Sequence, residues 1–352
     1  MNRISFRFIH PDFRLNSTAF DRKTLLEKAN YFLENGADFE KHIGLFLTEW
    51  YNDSDCIITQ SSGTTGIPKP ISISKQAMVD SAIATGLFFD LNPGDTALHC
   101  LSAQYIAGKM MLVRALVLGL QLDCIAPSSN PLEGINTGYD FAAMVPMQVH
   151  NSIVKLDSIK TLIIGGVKIN PTLQKALLQL KTAVFETFGM TETITHIAAR
   201  KIGVEAFKVL PNIQISIDER DCLVIYAPRI SKEKIITNDL VTILSDSEFI
   251  YLGRIDSVVN SGGIKLFPEP IESKLATEIS VRFFVIGIPD QTLGEKLILV
   301  IEGEKFEIRN TVFRSLNPFE KPKEIHFVSQ FLETETGKIN RNKTIRYFSI
   351  LK

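Results

Sequence analysis

Short apolar runs that stop at Gly/Ser/Thr clusters alternate with longer helical stretches, and that alternation constrains the fold more than any other feature of the chain. Cys56-Ile57-Ile58-Thr59 reads as a strand running into a polar loop. Ser74 then stands at the cap of a helix expected over Gln76 to Phe88, closed by Asn92-Pro93-Gly94-Asp95. A second helix is expected from Ile106 to Leu118, stopped by Gly119. Phe141 to Val145 and Thr161 to Ile164 are strand-like, and a further helix opens near Pro171. Strands alternating with helices imply layered α/β architecture. Near residue 213 the pattern changes to short strands with turn signals, from Ile213 to Leu252, which suggests a small β-rich subdomain. Beyond Gly253-Arg254-Ile255-Asp256 lies a compact mixed tail, with a helix near Pro268 to Glu278 and strands Arg282 to Gly287 and Leu297 to Glu302. The expected division is therefore a large first domain, 1–255, and a small second one, 256–352, cut at about Asp256.

Composition narrows the class of partner. With 38 basic against 39 acidic side chains the net charge is −1, which argues against nucleic acid or an acidic membrane as the default partner. Cys56, Cys100, Cys124 and Cys222 are scattered, with no C-x-x-C pair and no cluster of histidines beside them. Buried free thiols in a reducing compartment are expected, rather than a disulfide framework or a zinc site. The segment MNRISFRFIHPDF has no apolar core of signal-peptide length, and the run from Met110 to Leu122 is broken by Arg114 and too short to cross a bilayer. A cytoplasmic protein is expected.

Four motifs carry chemistry. Ser61-Ser62-Gly63-Thr64-Thr65-Gly66-Ile67-Pro68-Lys69 follows a strand directly. Glycines let backbone N–H groups approach an anion, while hydroxyls and a lysine ligate its oxygens, so the stretch suits a polyphosphate. It is no Walker A loop, because Lys69 does not follow a glycine directly; a flexible polar turn is the plainer reading. Phe188-Gly189-Met190-Thr191-Glu192-Thr193 places a carboxylate between two threonines, able to hold magnesium beside phosphates, with an aromatic to cover a flat base. The same letters also make a plain helix cap. Thr237-Asn238-Asp239-Leu240 precedes Gly253-Arg254-Ile255-Asp256 and Asn260-Ser261-Gly262-Gly263-Ile264-Lys265, and Thr334-Glu335-Thr336-Gly337-Lys338-Ile339-Asn340-Arg341 lies near the end. Taken singly, each of these is a solvated turn.

In this order the set resembles the adenylate-forming superfamily of acyl-CoA synthetases, luciferases and peptide-synthetase adenylation domains, over roughly residues 54 to 345. SSGTTGIPK matches its phosphate loop, FGMTET its YGxTE motif, TNDL its TGDL, GRIDSVVNSGGIKLFPEPIE its hinge motif and TGKINR its catalytic-lysine motif. Gln104-Tyr105-Ile106-Ala107-Gly108 with Arg114, Met144 to Gln148, Gly165-Gly166 and GMTETITHIA look most like the o-succinylbenzoate–CoA ligases of menaquinone biosynthesis. Three departures stand out: only 60 residues precede the phosphate loop, Asn238 replaces a glycine, and Glu333 replaces a proline. A homodimer is one way to make up for the shortened start.

The resemblance implies a small-molecule acid, ATP with Mg²⁺, and coenzyme A as the reactants, and a mobile α+β tail. It assigns Ser61, Ser62, Gly63, Thr64, Thr65, Gly66 and Lys69 to the phosphates, Thr191 to the α-phosphate and Glu192 to the metal. Phe188 and Gly189, with Gly165 and Gly166, would frame the adenine; Asp239 and Arg254 would hold the ribose. Lys338 would bridge the acid's carboxylate and the α-phosphate, Asp256 would be the hinge, and Gly262, Gly263 and Lys265 would line the coenzyme A path. For the acid, Arg114 is the candidate for a distant carboxylate, with Tyr105, Lys109, Thr195 and His196 around it. Arg114 sits in an apolar run, so it either reaches a ligand or carries its head to the surface, and His196 is either a ligand or a satisfied core histidine. Two other readings keep the motifs: a different aryl-CoA or carrier-loading enzyme, and a nucleotide-binding regulator that has lost catalysis. The regulator should lack Lys338, Glu192 or Asp239, and all three are present.

Overall fold

The structure, a computed structural model, describes residues 3–60, 70–166, 169–333 and 339–350. Before the first strand named above lie two antiparallel-packed helices, Arg22–Asn35 and Asp38–Tyr51. The first is capped reciprocally by Asp21 and Thr24. The second buries Ile43, Phe46, Leu47 and Trp50, a spacing that forms one helical stripe facing the core. Cys56–Gln60 and Pro70–Ser74 pair antiparallel from Cys56↔Ser74 to Gln60↔Pro70, so the segment 61–69 joins the two strands of a hairpin.

Ser74 caps the helix Lys75–Phe89, which ends where Asp90 turns left-handed. The helix Ile106–Leu118 runs between the expected limits and stops at Gly119, whose φ is +78°. From Gly108 to Val117 it is buried on every side, which is why its sequence shows almost no polar face. It packs on the Lys75–Phe89 helix and on the strands Thr96–His99 and Gln121–Cys124.

Those strands belong to a sheet of thirteen among the described residues. Its parallel part runs Ala183–Gly189, Ile159–Ile164, Tyr139–Met144, Thr96–His99, Gln121–Cys124, with the short pair Arg14–Leu15 and Thr18–Ala19 at the rim. Ala97, Leu122, Phe141 and Ile163 face the helices just described. Leu98, Ala142, Leu162 and Ile164 face Leu132, Val149, Leu173 and Leu177 on the other side. Strands buried on both faces read as continuous apolar runs, as these do.

The sheet runs on without a break past residue 213, and strand direction changes earlier, at His196. His196–Lys201 pairs antiparallel with Ala183–Gly189, and Phe207–Val209, Glu248–Arg254, Ile235–Ser245, Cys222–Tyr226 and Gln214–Ile217 follow, all antiparallel. This part has its own apolar cluster around Ile197, Leu223, Ile225 and Phe249. After the single turn Ile255–Ser257 comes a separate sheet of Val259–Ser261, Ile264–Leu266, Phe283–Asp290, Gly294–Glu302 and Glu324–Val328, with the helix Pro268–Leu275. Its apolar clusters begin at Val259 and include nothing earlier in the chain. All four cysteines are free; Cys100 and Cys222 are buried, whereas Cys56 and Cys124 are only half-buried. Among the described residues no helix is long and apolar enough to cross a membrane.

Candidate active site

In open α/β sheets ligands bind beyond the carboxyl ends of the parallel strands. Here those ends carry Gly165 and Gly166 after Ile159–Ile164, and Phe188 and Gly189 closing Ala183–Gly189. A side chain at Gly165 would meet Thr187 Oγ1 at 2.9 Å, and Gly166 has φ +96°, so both positions hold backbone at the strand end. Phe188 stays partly exposed, with its ring 5.3–5.7 Å from Phe207, Phe249 and Tyr251. Thr191–Thr193 is one turn of 3₁₀ helix, and Glu192 on it is exposed. The hairpin that carries Ser61, Ser62, Gly63, Thr64, Thr65, Gly66 and Lys69 has those residues outside the described ones, as is Lys338.

The next residues are held under strain. Ile194 has φ +68° and ψ −55°, and Thr195 N–H donates to Thr193 O at 2.7 Å, closing a γ-turn of the rare positive-φ form. For a β-branched residue that backbone is a true outlier. Gly189 makes it possible, since any Cβ there would lie 2.4 Å from Thr195 O. The turn delivers Thr195 Oγ1 to Arg114 Nη2 at 3.3 Å and to His196 Nδ1 at 3.2 Å.

Arg114 does not reach the surface. It is 2% exposed, meets no carboxylate among its contacts, and touches Met111 Sδ at 3.7 Å. Burial alone pushes its guanidinium down to about 10. His196 is likewise buried; burial, and then the charge of Arg114, hold its imidazole well below the ordinary value. Among the described residues Arg114 Nε and His196 Nε2 have no hydrogen-bond partner. Lys109 does not join this group: its ammonium lies 3.8 Å from Glu49 Oε2 and over the ring of Phe46, because five positions along a helix turn it to another face. Tyr105 stands at the start of the same helix with two-thirds of its surface exposed, so it marks a rim rather than a closed wall.

The start of the third motif is not a turn. Thr237, Asn238 and Asp239 lie within the strand Ile235–Ser245, and Asp239 sits opposite Arg254 in the register. Asp239 is buried, and burial raises its carboxyl pKa against the opposing pull of Arg254. A buried acceptor beside a cation suits a diol. Arg254 Nη2 donates to Asp256 Oδ2 at 2.9 Å, and Asn238 Nδ2 donates to the same carboxylate at 3.3 Å. Asn238 Oδ1 accepts in turn from Arg220 Nη1 at 3.1 Å. These bonds hold the Asp256 carboxyl below its usual range, Arg254 being the larger cause. Sequence reasoning flagged Asn238 only as a departure; the structure shows it tying the strand to Asp256.

Gly262 and Gly263, with φ of +61° and +81°, form the two-residue turn of the hairpin Val259–Ser261/Ile264–Leu266. Lys265 on that hairpin lines a cavity of about 630 Å³ with Asn260 and Phe267, facing Ile217, Arg220 and Leu240 to Ile243. That cavity includes neither the strand-end residues nor Arg114.

Among the described residues no three His, Cys, Asp or Glu side chains gather as a metal cage. One exposed carboxylate, Glu192, fits magnesium, which keeps waters and phosphates in its shell and needs few protein ligands.

Residues 19–222 match the AMP-binding enzyme family. An acyl-CoA synthetase (AMP-forming)/AMP-acid ligase II-like protein from Dyadobacter fermentans is 35% identical, with a TM-score of 0.60 and coverage of 88% of this chain and 94% of that one. The o-succinylbenzoate coenzyme A synthetase of Bacillus subtilis, solved with ATP and magnesium ion, has a TM-score of 0.71 at 19% identity, over 82% of this chain and 69% of that one. At that identity it speaks for the fold. A probable 2-succinylbenzoate–CoA ligase of Mycobacterium tuberculosis is 24% identical over 337 residues, which is 87% of this chain and 88% of that protein. The family match spans more than half of the chain and carries the strand-end motifs, so the chain belongs to the AMP-binding enzyme family.

Proposed function

We propose that the chain is an AMP-forming CoA ligase for an aryl dicarboxylic acid, with o-succinylbenzoate as the substrate. The observation that carries the choice of acid is Arg114, a buried guanidinium with no carboxylate partner among the described residues, bonded to Thr195 beside the strand-end Gly189. A buried cation without a counter-charge is costly, and a substrate carboxylate would supply one. The names of the Mycobacterium tuberculosis and Bacillus subtilis relatives favour the same acid.

The chemistry is two displacements. The acid's reacting carboxylate attacks the α-phosphorus of ATP and pyrophosphate leaves; the thiol of coenzyme A then attacks the acyl carbon and AMP leaves. Both need positioned charge more than covalent help from the protein. Ser61, Ser62, Gly63, Thr64, Thr65, Gly66 and Lys69 hold the phosphates, and Thr191 the α-phosphate. Magnesium, held by Glu192, offsets phosphate charge when bound. Phe188 packs on adenine, with Gly165, Gly166 and Gly189 leaving room for it; Asp239 accepts from the ribose hydroxyls beside Arg254. Lys338 bridges the reacting carboxylate and α-phosphate. The division at Asp256 into 1–255 and 256–352 lets the tail turn between steps, bringing Gly262, Gly263 and Lys265 to the thiol. The separate apolar clusters on either side support that division.

The test is a panel of aryl and acyl acids scored for pyrophosphate release, and for AMP release with and without coenzyme A. Turnover of o-succinylbenzoate that needs coenzyme A for its second step is the expected result. Arg114→Leu should raise KM for the acid much more than for ATP, with kcat/KM down about tenfold or more, since a charged hydrogen bond is worth about 1.5–3 kcal/mol. Parallel movement of both KM values would make Arg114 structural and move the acid site elsewhere.

A further inference from the structure

The contacts around Thr195 favour one tautomer of His196. A guanidinium only donates, so Thr195 Oγ1 accepts from Arg114 Nη2. Oγ1 keeps a second lone pair, but an Nδ1–H directed at it would leave the hydroxyl hydrogen with no acceptor among the described residues. The hydroxyl directed at His196 Nδ1, 3.2 Å away, uses both groups and makes Nδ1 the ring's acceptor. A neutral imidazole with Nδ1 accepting carries its hydrogen on Nε2. Burial and the neighbouring guanidinium both favour the neutral ring. The result is a buried Nε2–H that meets no acceptor among the described residues, linked through one hydroxyl to a buried Arg114 Nε–H in the same position.

The surroundings keep this arrangement in place. Thr193 Oγ1 lies 2.9 Å from Met190 O and 2.8 Å from Thr195 O, pinning both sides of the strained turn at Ile194. Gly189 allows the close approach behind it. Strain of this kind persists only where the surrounding structure over-determines it, and it clusters at ligand clamps. On its other side His196 lies 6.2 Å from the ring of Phe89, which contacts Phe141 and Phe185 at 5.9 and 5.1 Å.

We propose that His196 is a specificity-determining residue that donates its Nε2–H to the acid's second, non-reacting carboxylate while Arg114 supplies the charge. This rests on the reading of Arg114 as the holder of that carboxylate. A carboxylate accepts from several donors at once, and one negative charge balances one guanidinium only if the histidine stays neutral. Thr195 is the positioning residue, acting through the ring it orients.

Two measurements decide it. In the unliganded wild-type protein, ¹⁵N NMR of the His196 ring should show the neutral Nε2–H tautomer, and Thr195→Val should lose that preference. An Nδ1–H ring or an imidazolium in the wild type overturns the proposal, whatever the substrate. The second measurement compares kcat/KM for o-succinylbenzoate with that for 4-oxo-4-phenylbutanoate and 2-butanoylbenzoate, each of which keeps one of the two carboxylates. His196→Leu should cut the preference for the diacid about 10- to 100-fold, with KM for ATP unmoved. His196→Gln, which still offers an amide donor, should recover most of it. Equal losses on diacid and monoacid, or no loss, overturn the role of His196. A wild-type protein that turns over no aryl dicarboxylate overturns the substrate reading instead, and the tautomer result then stands by itself.

Discussion

His99 is the last residue of the strand Thr96–His99, fully buried, with neither ring nitrogen bonded among the described residues. Burial pushes its pKa down to about 4. In the unfolded chain the same ring titrates near 6.5. Between those values the unfolded state holds more protons, so stability falls as pH drops through about 6.5 towards 4 and levels below that. The full effect is on the order of 3 kcal/mol, from about 1.4 kcal/mol for each pH unit. His99→Leu should flatten the fall, read as urea midpoints at pH 7 and pH 5. If the variant loses as much stability over that interval as the wild type, other groups carry the acid sensitivity. The histidine was in plain view in the sequence, but its missing partners were not, because a neighbour across a sheet leaves no mark in the order of residues. Ile194 is similar: nothing in Thr-Glu-Thr-Ile-Thr-His announces a positive φ at a β-branched residue.

The elements that the sequence marks with both a start and a stop came through best. The helix Ile106–Leu118 has its limits set by an apolar run and Gly119, and Pro171 opens the helix Pro171–Leu177 as a first-turn proline should. Thr237 to Leu240 reads as a turn from its Asn-Asp pair, yet cross-strand pairing with Arg254 and Gly253 holds it extended. The two helices before Cys56 carry no chemistry and so drew no reading, although the stripe of Ile43, Phe46, Leu47 and Trp50 is there to find. The Gly262-Gly263 hairpin tests its element most sharply. A Cβ on Gly263 meets nothing within 4 Å, so the obstacle to a larger residue is its φ of +81° and not space. Gly263→Leu should therefore cost about 1–3 kcal/mol of stability from backbone strain, which confuses its effect on the thiol step. Gly263→Asn should cost less, because asparagine tolerates the left-handed region. In that variant acid-dependent pyrophosphate release should survive a single turnover while acyl-CoA output drops. A stable Asn variant that makes acyl-CoA at the normal rate would take Gly263 out of the thiol path.

At the scale of the whole molecule, the tail carries its own apolar clusters, which include no residue before Val259. Arg254 and Asn238 hold Asp256 at the turn Ile255–Ser257, and the carboxyl of Glu269 on the helix Pro268–Leu275 lies where a side chain on Gly253 would be. Ion pairs as exposed as Arg254–Asp256 contribute at most about 1 kcal/mol each, so turning the tail about this joint gives up little. On the proposed mechanism one tail serves two displacements with different charged centres, the α-phosphorus in the first and the acyl carbon in the second. A single ammonium cannot stand at both while the hairpin of Gly262 and Gly263 also comes to the thiol. Lys338→Ala should then slow pyrophosphate release by about 100-fold or more in a single turnover, the usual scale for removing one preorganised donor from a developing charge. Given pre-made acyl-adenylate and coenzyme A, the same variant should form thioester within about twofold of the wild-type rate, since that step loses no contact. Both half-reactions are read on the same protein preparation, with its melting temperature measured beside them. Equal slowing of the two steps in a folded variant would mean that the tail does not alternate, and that Lys338 acts in one fixed arrangement throughout.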